Sequence, residues 1–146
     1  RGRGQLIDWK KPYEKIEIGQ ANCLKKGTKV AVLSNGTIGN NVALALADLQ
    51  QPEAIAHDDF AFVKPLDESL LHQIFHEFKN IITIEDGVIK GGFGSSILEF
   101  ASIHNYQSKI NILGIPDEFI EHGTVAELQQ YCKIDVKSLE KLFSNY

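Results

Sequence analysis

The chain has 146 residues, enough for one domain with a sizeable hydrophobic core, and a hydrophobic content of 43% excludes an intrinsically disordered protein. No run of 18 apolar residues and no secretory pattern is present, so nothing in the sequence suggests a membrane partner. The two cysteines, Cys23 and Cys132, form no CxxC pair or ligand cluster, which favours reduced thiols and a cytoplasmic location.

The net charge of −4 is unevenly distributed along the chain. Residues 1–29 have a balance of +5, so the remaining residues sum to −9. A basic N-terminal segment is typical of an arm that binds nucleic acid. Its only aromatic residues are Trp9 and Tyr13, which form no pattern for stacking on bases, so we expect a linker and no nucleic-acid partner. The chain starts at Arg1 and contains no methionine, which suggests a fragment of a longer protein. We predict a linker from a preceding domain over residues 1–28 and one domain over residues 29–146.

Strand and helix patterns alternate along this domain. Apolar and β-branched runs predict strands at 29–34, 54–58, 81–86 and 109–115, and a short extended piece at 15–19 inside the linker. Helical spacing predicts helices over 38–50, 68–79, 92–104, 125–132 and from 135 onward, with N-caps at Thr37, Asp67, Thr124 and Asp135. This alternation is typical of an open α/β sheet, where ligands or partners meet the carboxyl ends of the strands.

The stretch at residues 80–100, NIITIEDGVIKGGFGSSILEF, combines a buried strand, two carboxylates and a glycine-rich helix start. Backbone N–H groups at such a start can face a phosphate, but the glycine spacing does not fit a dinucleotide fingerprint, and a tight turn with close helix–sheet packing is the stronger interpretation. Glu85 and Asp86 are candidates for an acid/base pair, although such pairs more often lie in a solvated turn at a strand end.

The predicted helix over residues 68–79 carries two histidines, His72 and His76, four residues apart on the face opposite its apolar residues. This spacing is compatible with zinc chelation. The sequence offers no evident third zinc ligand, and the two histidines do not form an HExxH motif. We therefore expect that they lie on a solvated helix face and that there is no metal site.

Four segments together resemble one family: the entry strand with its SNGT turn (34–37), DFAFVKPLD (59–67), IITIEDGVIKGGFGSSILEF (81–100) and ILGIPDEFIEHGT (112–124). Their order and spacing are similar to the C-terminal domain of the transketolase-like thiamine diphosphate enzymes, and within that group to the 1-deoxy-D-xylulose-5-phosphate synthases. The resemblance covers about residues 27–146 and is specific only in combination.

The resemblance implies a three-layer α/β fold with a five-stranded, mostly parallel sheet, one antiparallel strand and helices on both faces. It implies a full-length homodimeric transferase that condenses pyruvate with glyceraldehyde 3-phosphate, losing carbon dioxide, on the route to isoprenoids and thiamine. Earlier domains hold thiamine diphosphate and magnesium, and the C-terminal domain packs against them and supports the dimer. For this fragment the resemblance implies no catalytic, cofactor-binding or metal-binding residue and no activity of its own.

The sequence departs from the family pattern at two places and matches it weakly at a third. Ala61 replaces an arginine that usually precedes the Phe-x-Lys-Pro-Leu-Asp run, and the thiamine-binding Gly-Asp-Gly signature is absent. Arg1-Gly2 resembles the end of a Pro-Arg-Gly turn, whose arginine contacts the phosphate of the aldehyde substrate. Arg1 is therefore a candidate substrate-binding residue in the parent enzyme, with Arg3 as a rival and a solvated linker charge as the alternative.

Other functions remain open at this stage. Within the superfamily they are the equivalent domain of a transketolase or of a 2-oxo acid dehydrogenase beta subunit. Outside it they are a free-standing anion- or nucleotide-binding module and a pure interaction domain. If the chain is an excised domain, it should expose apolar side chains where its neighbours sat. The candidates are Phe60, Phe62, Val88, Ile89, Phe93 and Phe119.

Overall fold

The structure is a computed structural model that describes residues 15–146. Over these residues the chain forms strands β1 (Asn22–Lys25), β2 (Val30–Asn35), β3 (Ile55–Asp59), β4 (Asn80–Val88) and β5 (Lys109–Ile115). The helices are α1 (Gly39–Ala47), α2 (Glu68–Glu77), α3 (Phe93–Ile103), α4 (Val125–Tyr131) and α5 (Val136–Phe143), with a short 3-10 helix at Pro52–Ala54. Strands and helices alternate as the sequence predicts.

The strands form one five-stranded sheet in the order β1-β3-β2-β4-β5. Strands β3, β2, β4 and β5 run parallel, and β1 pairs with β3 in the antiparallel sense. The mostly parallel sheet with one antiparallel strand is therefore confirmed. The extended piece predicted at 15–19 is wrong, because the antiparallel strand lies at Asn22–Lys25 instead. It falls within the segment predicted as a linker, so the sheet begins before residue 29.

The central strands bury side chains on both faces, as expected for a parallel sheet covered by helices. On one face, Val32 and Ile82 lie in a core cluster that includes side chains of α1 and α5. On the other face, Leu33 and Ile81 lie in a second cluster with side chains of α2 and α3. The period-2 alternation of the strands thus produces three layers, helices–sheet–helices.

Helix starts follow the predicted N-caps in three of four cases. The Asp67 side chain accepts the N–H of Leu70 at 2.9 Å, Asp135 accepts the N–H of Ser138, and Thr124 with Glu127 forms a capping box. The prediction of Thr37 as a cap is wrong. The N-cap of helix α1 is Ile38, one residue after Thr37, and no side chain of this residue caps the helix. The Thr37 hydroxyl donates instead to Asp86.

One buried hydroxyl is left without a partner. Thr83 in β4 is fully buried, and its Oγ1 has no hydrogen-bond partner among residues 15–146. An unpaired buried hydroxyl retains its desolvation penalty, so the Thr83→Val variant should be more stable by about 1 kcal/mol in urea denaturation. Ser34→Ala is the matched control, since the Ser34 hydroxyl is equally buried but paired with His57, and it should lose stability. A Thr83→Val variant less stable than the native chain would contradict this prediction.

Candidate functional site

Glu85 lies at the carboxyl end of β4, and its carboxylate is bound to the first turn of α3. Oε2 accepts the N–H of Phe93 at 3.0 Å, and Oε1 accepts the N–H of Gly94 at 2.9 Å. The side chain is only 4% exposed. A helix N-terminus offers unpaired N–H groups and the positive end of the helix dipole. Glu85 therefore occupies donors at α3 that would otherwise face a bound anion.

The glycines around Glu85 provide the room for its side chain. A Cβ atom on Gly92 would lie 2.1 Å from the Glu85 Oε2 atom, and one on Gly114 would lie 2.9 Å from its Cγ. Contacts this short are not tolerated, so these positions need glycine for close approach. The interpretation as a tight turn with close packing agrees with this geometry, and the group that the glycines accommodate is a carboxylate of the chain itself.

Asp86 binds the start of helix α1, which lies on the opposite face of the sheet. Its Oδ2 accepts the Thr37 hydroxyl at 2.8 Å and the N–H of Ile38 at 3.1 Å, at the start of α1. Successive strand residues point to opposite faces, so Glu85 and Asp86 diverge and do not converge on one reacting atom. Asp86 is exposed as expected, but it lies within β4, and Glu85 is buried, so the prediction of a solvated turn for this pair is wrong.

A second cluster at the carboxyl ends of β2 and β3 was not anticipated. Ser34 Oγ lies 2.9 Å from His57 Nε2 and 3.4 Å from Asp59 Oδ1. Ser34 and His57 are both buried, and the carboxylate contacts the serine rather than the imidazole. A nucleophilic triad needs the carboxylate on the histidine and an accessible hydroxyl, so this cluster has the composition of a triad without its geometry.

Burial shifts the titration of the groups in and beside this cluster. It lowers the pKa of His57 to about 4, because the charged imidazolium is disfavoured away from water. It raises the pKa of Asp59, against opposing hydrogen bonds from Ser34 and Asn22. It also raises the pKa of Asp58 on the other face, against a hydrogen bond from Cys23. A signal was present in the sequence, since strand alternation places His57 on the face of the buried Ile55.

The two histidines of α2 share one partner. The hydroxyl of Tyr106 lies 2.7 Å from His72 Nδ1 and 3.3 Å from His76 Nε2. His72 is half-buried, with its ring 5.0 Å from that of Phe100, whereas His76 is exposed. The prediction of a solvated face is therefore wrong for His72. Among residues 15–146, no group of three or more histidine, cysteine or acidic side chains is placed to hold a metal ion.

The predicted exposed apolar side chains divide into two groups. Phe60 and Phe93 are each 1% exposed, with ring centroids 5.5 Å apart, so the prediction is wrong for them. They follow strand ends, but their rings fold back onto the α2/α3 side of the sheet. Val88 and Phe119 are exposed as predicted, and Phe62 and Ile89 are intermediate.

The remaining predictions from the sequence concern Arg1, Arg3, Ala61 and the membrane. Arg1, the candidate phosphate contact, and its rival Arg3 lie outside the described residues. Ala61, where the family has arginine, is exposed, and neither ion pair found within residues 15–146, Lys15–Glu17 and Lys90–Asp117, involves the 59–67 loop. No helix in the described part of the chain combines the length and apolarity needed to cross a membrane.

The five-stranded fold and its strand–glycine–helix unit are features that can be compared with known families of α/β domains. The family model described as transketolase, C-terminal domain, matches residues 19–139. The chain belongs to this family.

Comparison with curated relatives narrows the assignment within this family. The chain is 51% identical over 143 residues to a protein of Bacteroides thetaiotaomicron, 47% identical over 146 residues to one of Cytophaga hutchinsonii and 37% identical over 146 residues to one of Vibrio campbellii. All three are named 1-deoxy-D-xylulose-5-phosphate synthase, and the matches cover 97–100% of this chain. The chain spans only 22–23% of the length of these relatives. The predicted similarity to this synthase is confirmed.

Two solved structures with the same fold are transketolases. A split-gene transketolase, described as an inactive beta4 tetramer, matches 92% of this chain and 43% of its own, with a TM-score of 0.79 and 24% identity. The transketolase of Campylobacter jejuni matches 88% of this chain and 19% of its own, with a TM-score of 0.58 and 14% identity. At these identities the likeness concerns the fold.

Proposed function

We propose that the chain is the C-terminal domain of a thiamine diphosphate-dependent enzyme that condenses pyruvate with glyceraldehyde 3-phosphate. The products are 1-deoxy-D-xylulose 5-phosphate and carbon dioxide. The observation that carries this proposal is the 44–51% identity, over nearly the whole chain, to several proteins named for this synthase. Because the chain spans about 22% of their length, most of the enzyme lies in other domains of the same polypeptide.

The role of this domain is structural. The two carboxylates at the carboxyl end of β4 bind the starts of α1 and α3, so the edge where open α/β sheets usually take ligands is closed by the chain's own side chains. This arrangement supports a domain that packs against the rest of the enzyme and helps to hold its dimer. The two free cysteines suit the reducing cytoplasm, where we place the enzyme.

Thiamine diphosphate and magnesium do not fit the described residues. A diphosphate needs free N–H donors or cationic side chains gathered at one point, and magnesium needs oxygen ligands. At the first turns of α1 and α3 these donors already bind Asp86 and Glu85. We therefore place the cofactor site in the remainder of the enzyme.

The purified 146-residue chain should neither bind thiamine diphosphate nor turn over pyruvate. The N–H donors at the starts of α1 and α3 are already bound by Asp86 and Glu85. The carboxylate oxygens of these two residues are directed at helix N-termini and not at a common point where a metal ion could bind. Calorimetric titration with thiamine diphosphate and magnesium should give only dilution heat. Saturable binding, or any release of carbon dioxide from pyruvate by this chain, would contradict the assignment of a structural role.

Arg1 is proposed to contact the phosphate of the aldehyde substrate in the full-length enzyme, by its resemblance to the family's Pro-Arg-Gly turn. A guanidinium gives bidentate, permanently charged recognition of phosphate. Arg1→Ala in the full-length enzyme should raise the KM for glyceraldehyde 3-phosphate about tenfold or more, with pyruvate saturation nearly unchanged. Arg3→Ala is the matched control. An unchanged KM for the aldehyde, or an equal loss for both substrates, would exclude Arg1.

Product analysis of the full-length enzyme tests the reaction itself. With pyruvate and glyceraldehyde 3-phosphate we expect equimolar formation of carbon dioxide and 1-deoxy-D-xylulose 5-phosphate. A transketolase would instead transfer a two-carbon unit from a ketose phosphate without releasing carbon dioxide. Ketol transfer without decarboxylation would replace the synthase proposal by that alternative.

A further inference from the structure

Helix α2 and the segment after α3 bring three polar aromatic side chains together. The hydroxyl of Tyr106, which follows α3, lies 2.7 Å from His72 Nδ1 and 3.3 Å from His76 Nε2 on α2. A hydroxyl has one proton, so it donates to one of these nitrogens and accepts from the other. Both ring nitrogens are therefore directed at a single oxygen atom.

Two of the three rings are held in place by packing. The ring of Tyr106 stacks on that of Phe75, with centroids 4.7 Å apart and 11° between the ring planes. The ring of His72 lies 5.0 Å from that of Phe100. Tyr106 and His72 are half-buried, whereas His76 is exposed. The first two side chains thus need little ordering to bind a ligand, and a solute can approach from the side of His76.

The two nitrogen–oxygen distances are close to those between ligands of one metal ion. Zinc binds nitrogen and oxygen ligands at about 2.0–2.2 Å, so neighbouring ligands of one ion lie about 3 Å apart. We propose that His72, His76 and Tyr106 bind a divalent transition-metal ion such as Zn²⁺. The phenol releases its proton to solvent when its oxygen binds the ion, and a water molecule completes the four ligands.

The third ligand was not found in the sequence because it is a tyrosine distant along the chain. His72 and His76 have the spacing of a zinc-chelating pair, but Tyr106 lies 30 residues beyond His76 and reaches it only in the fold. Imidazole ligands suit zinc, copper and nickel ions, whereas magnesium and calcium prefer carboxylate and carbonyl oxygens. The bound ion joins α2 to the segment after α3. The site does not depend on the synthase reaction and has an assay of its own.

Calorimetric titration with Zn²⁺ tests the site in the 146-residue chain, purified without a histidine tag. We expect one ion per chain, with a dissociation constant of about 10 μM or tighter, and a higher melting temperature because the ion binds the folded chain. Tyr106→Phe keeps the stacked ring and removes only the oxygen, so the affinity should fall about tenfold or more. His122→Ala is the matched control. It removes an exposed histidine from the loop after β5, and it should bind Zn²⁺ like the native chain.

Two further measurements identify the ligands. Zn²⁺ should produce the ultraviolet difference spectrum of a tyrosinate in the native chain and in His122→Ala, and none in Tyr106→Phe. His76→Ala changes an exposed side chain and so keeps the fold, and its affinity should fall about as far as that of Tyr106→Phe. A native chain that binds no Zn²⁺ would overturn the proposal. Unchanged affinity in Tyr106→Phe or in His76→Ala, or binding without the tyrosinate spectrum, would overturn it as well.

Discussion

The Glu85→Ala variant should lose about 3 kcal/mol of unfolding free energy in urea denaturation. Two N–H groups of α3, those of Phe93 and Gly94, would lose their charged acceptor while remaining buried, and each unpaired buried donor costs about 1–3 kcal/mol. The helix would also lose the favourable interaction of a carboxylate with its dipole. Glu85→Gln should lose less, because its amide oxygen can still accept from one of the two donors.

Asp86→Ala is the matched control for Glu85. It removes a neighbouring carboxylate that also binds a helix start, but this one is exposed, so water can replace it. We expect a loss of about 1 kcal/mol or less. Formate at constant ionic strength should raise the melting temperature of Glu85→Ala more than that of the native chain, by supplying a small carboxylate to the emptied helix start. If Glu85→Ala lost no more stability than Asp86→Ala, the structural role given to Glu85 would be wrong.

Acidification should destabilise the chain through His57. Burial lowers its folded-state pKa to about 4 from an ordinary value of 6.5, so the neutral form is favoured in the folded state. The unfolded chain takes up a proton first as pH falls, and the stabilisation present above 6.5 is lost progressively down to about 4. The total loss is about 3 kcal/mol, of which about 2 kcal/mol falls between pH 7 and pH 5.

Comparison with the His57→Gln variant separates this effect from that of the buried carboxyls, which both proteins share. Burial raises the pKa values of Asp58 and Asp59, so protonation of these groups favours the folded state as pH falls, with the opposite sign. Urea denaturation of the native chain and of His57→Gln at both pH values measures the difference. The variant should show a much flatter dependence. Equal slopes for the two proteins would remove His57 as the cause.

The features that were predictable from the sequence are those with a local signal. The strands β2 and β4 are continuous apolar runs, and Asp67 precedes an apolar helical repeat, so both the sheet core and the start of α2 could be placed. Strand β1 could not, because the four residues Asn22–Lys25 are too few to show a strand pattern and become a strand only by pairing with β3. The presence of one antiparallel strand was predicted only through the family resemblance, and the order of the strands was not predicted.

The site was less predictable because its contacts join residues distant in sequence or on different layers. Glu85 binds α3 only because strand alternation directs it to that face and because Gly92 and Gly114 leave space for it. Strand alternation places His57 on the face of Ile55, but its full burial also depends on β3 lying between β1 and β2, and the order of the strands is not visible in any local pattern. The exposure predicted for Phe60 and Phe93 was wrong because the sequence does not show that their rings pack together on the α2/α3 side of the sheet.

A chimera tests most directly whether these 146 residues act as a synthase domain. The matching segment of the Bacteroides thetaiotaomicron synthase, to which this chain is 51% identical, would be replaced by this chain. The corresponding segment of Campylobacter jejuni transketolase, which shares the fold at 14% identity, provides the control replacement. We predict that the first chimera converts pyruvate and glyceraldehyde 3-phosphate to 1-deoxy-D-xylulose 5-phosphate within about tenfold of the native rate, a difference of about 1.4 kcal/mol, and that the control is inactive. A folded chimera that is no more active than the transketolase control would contradict the assignment.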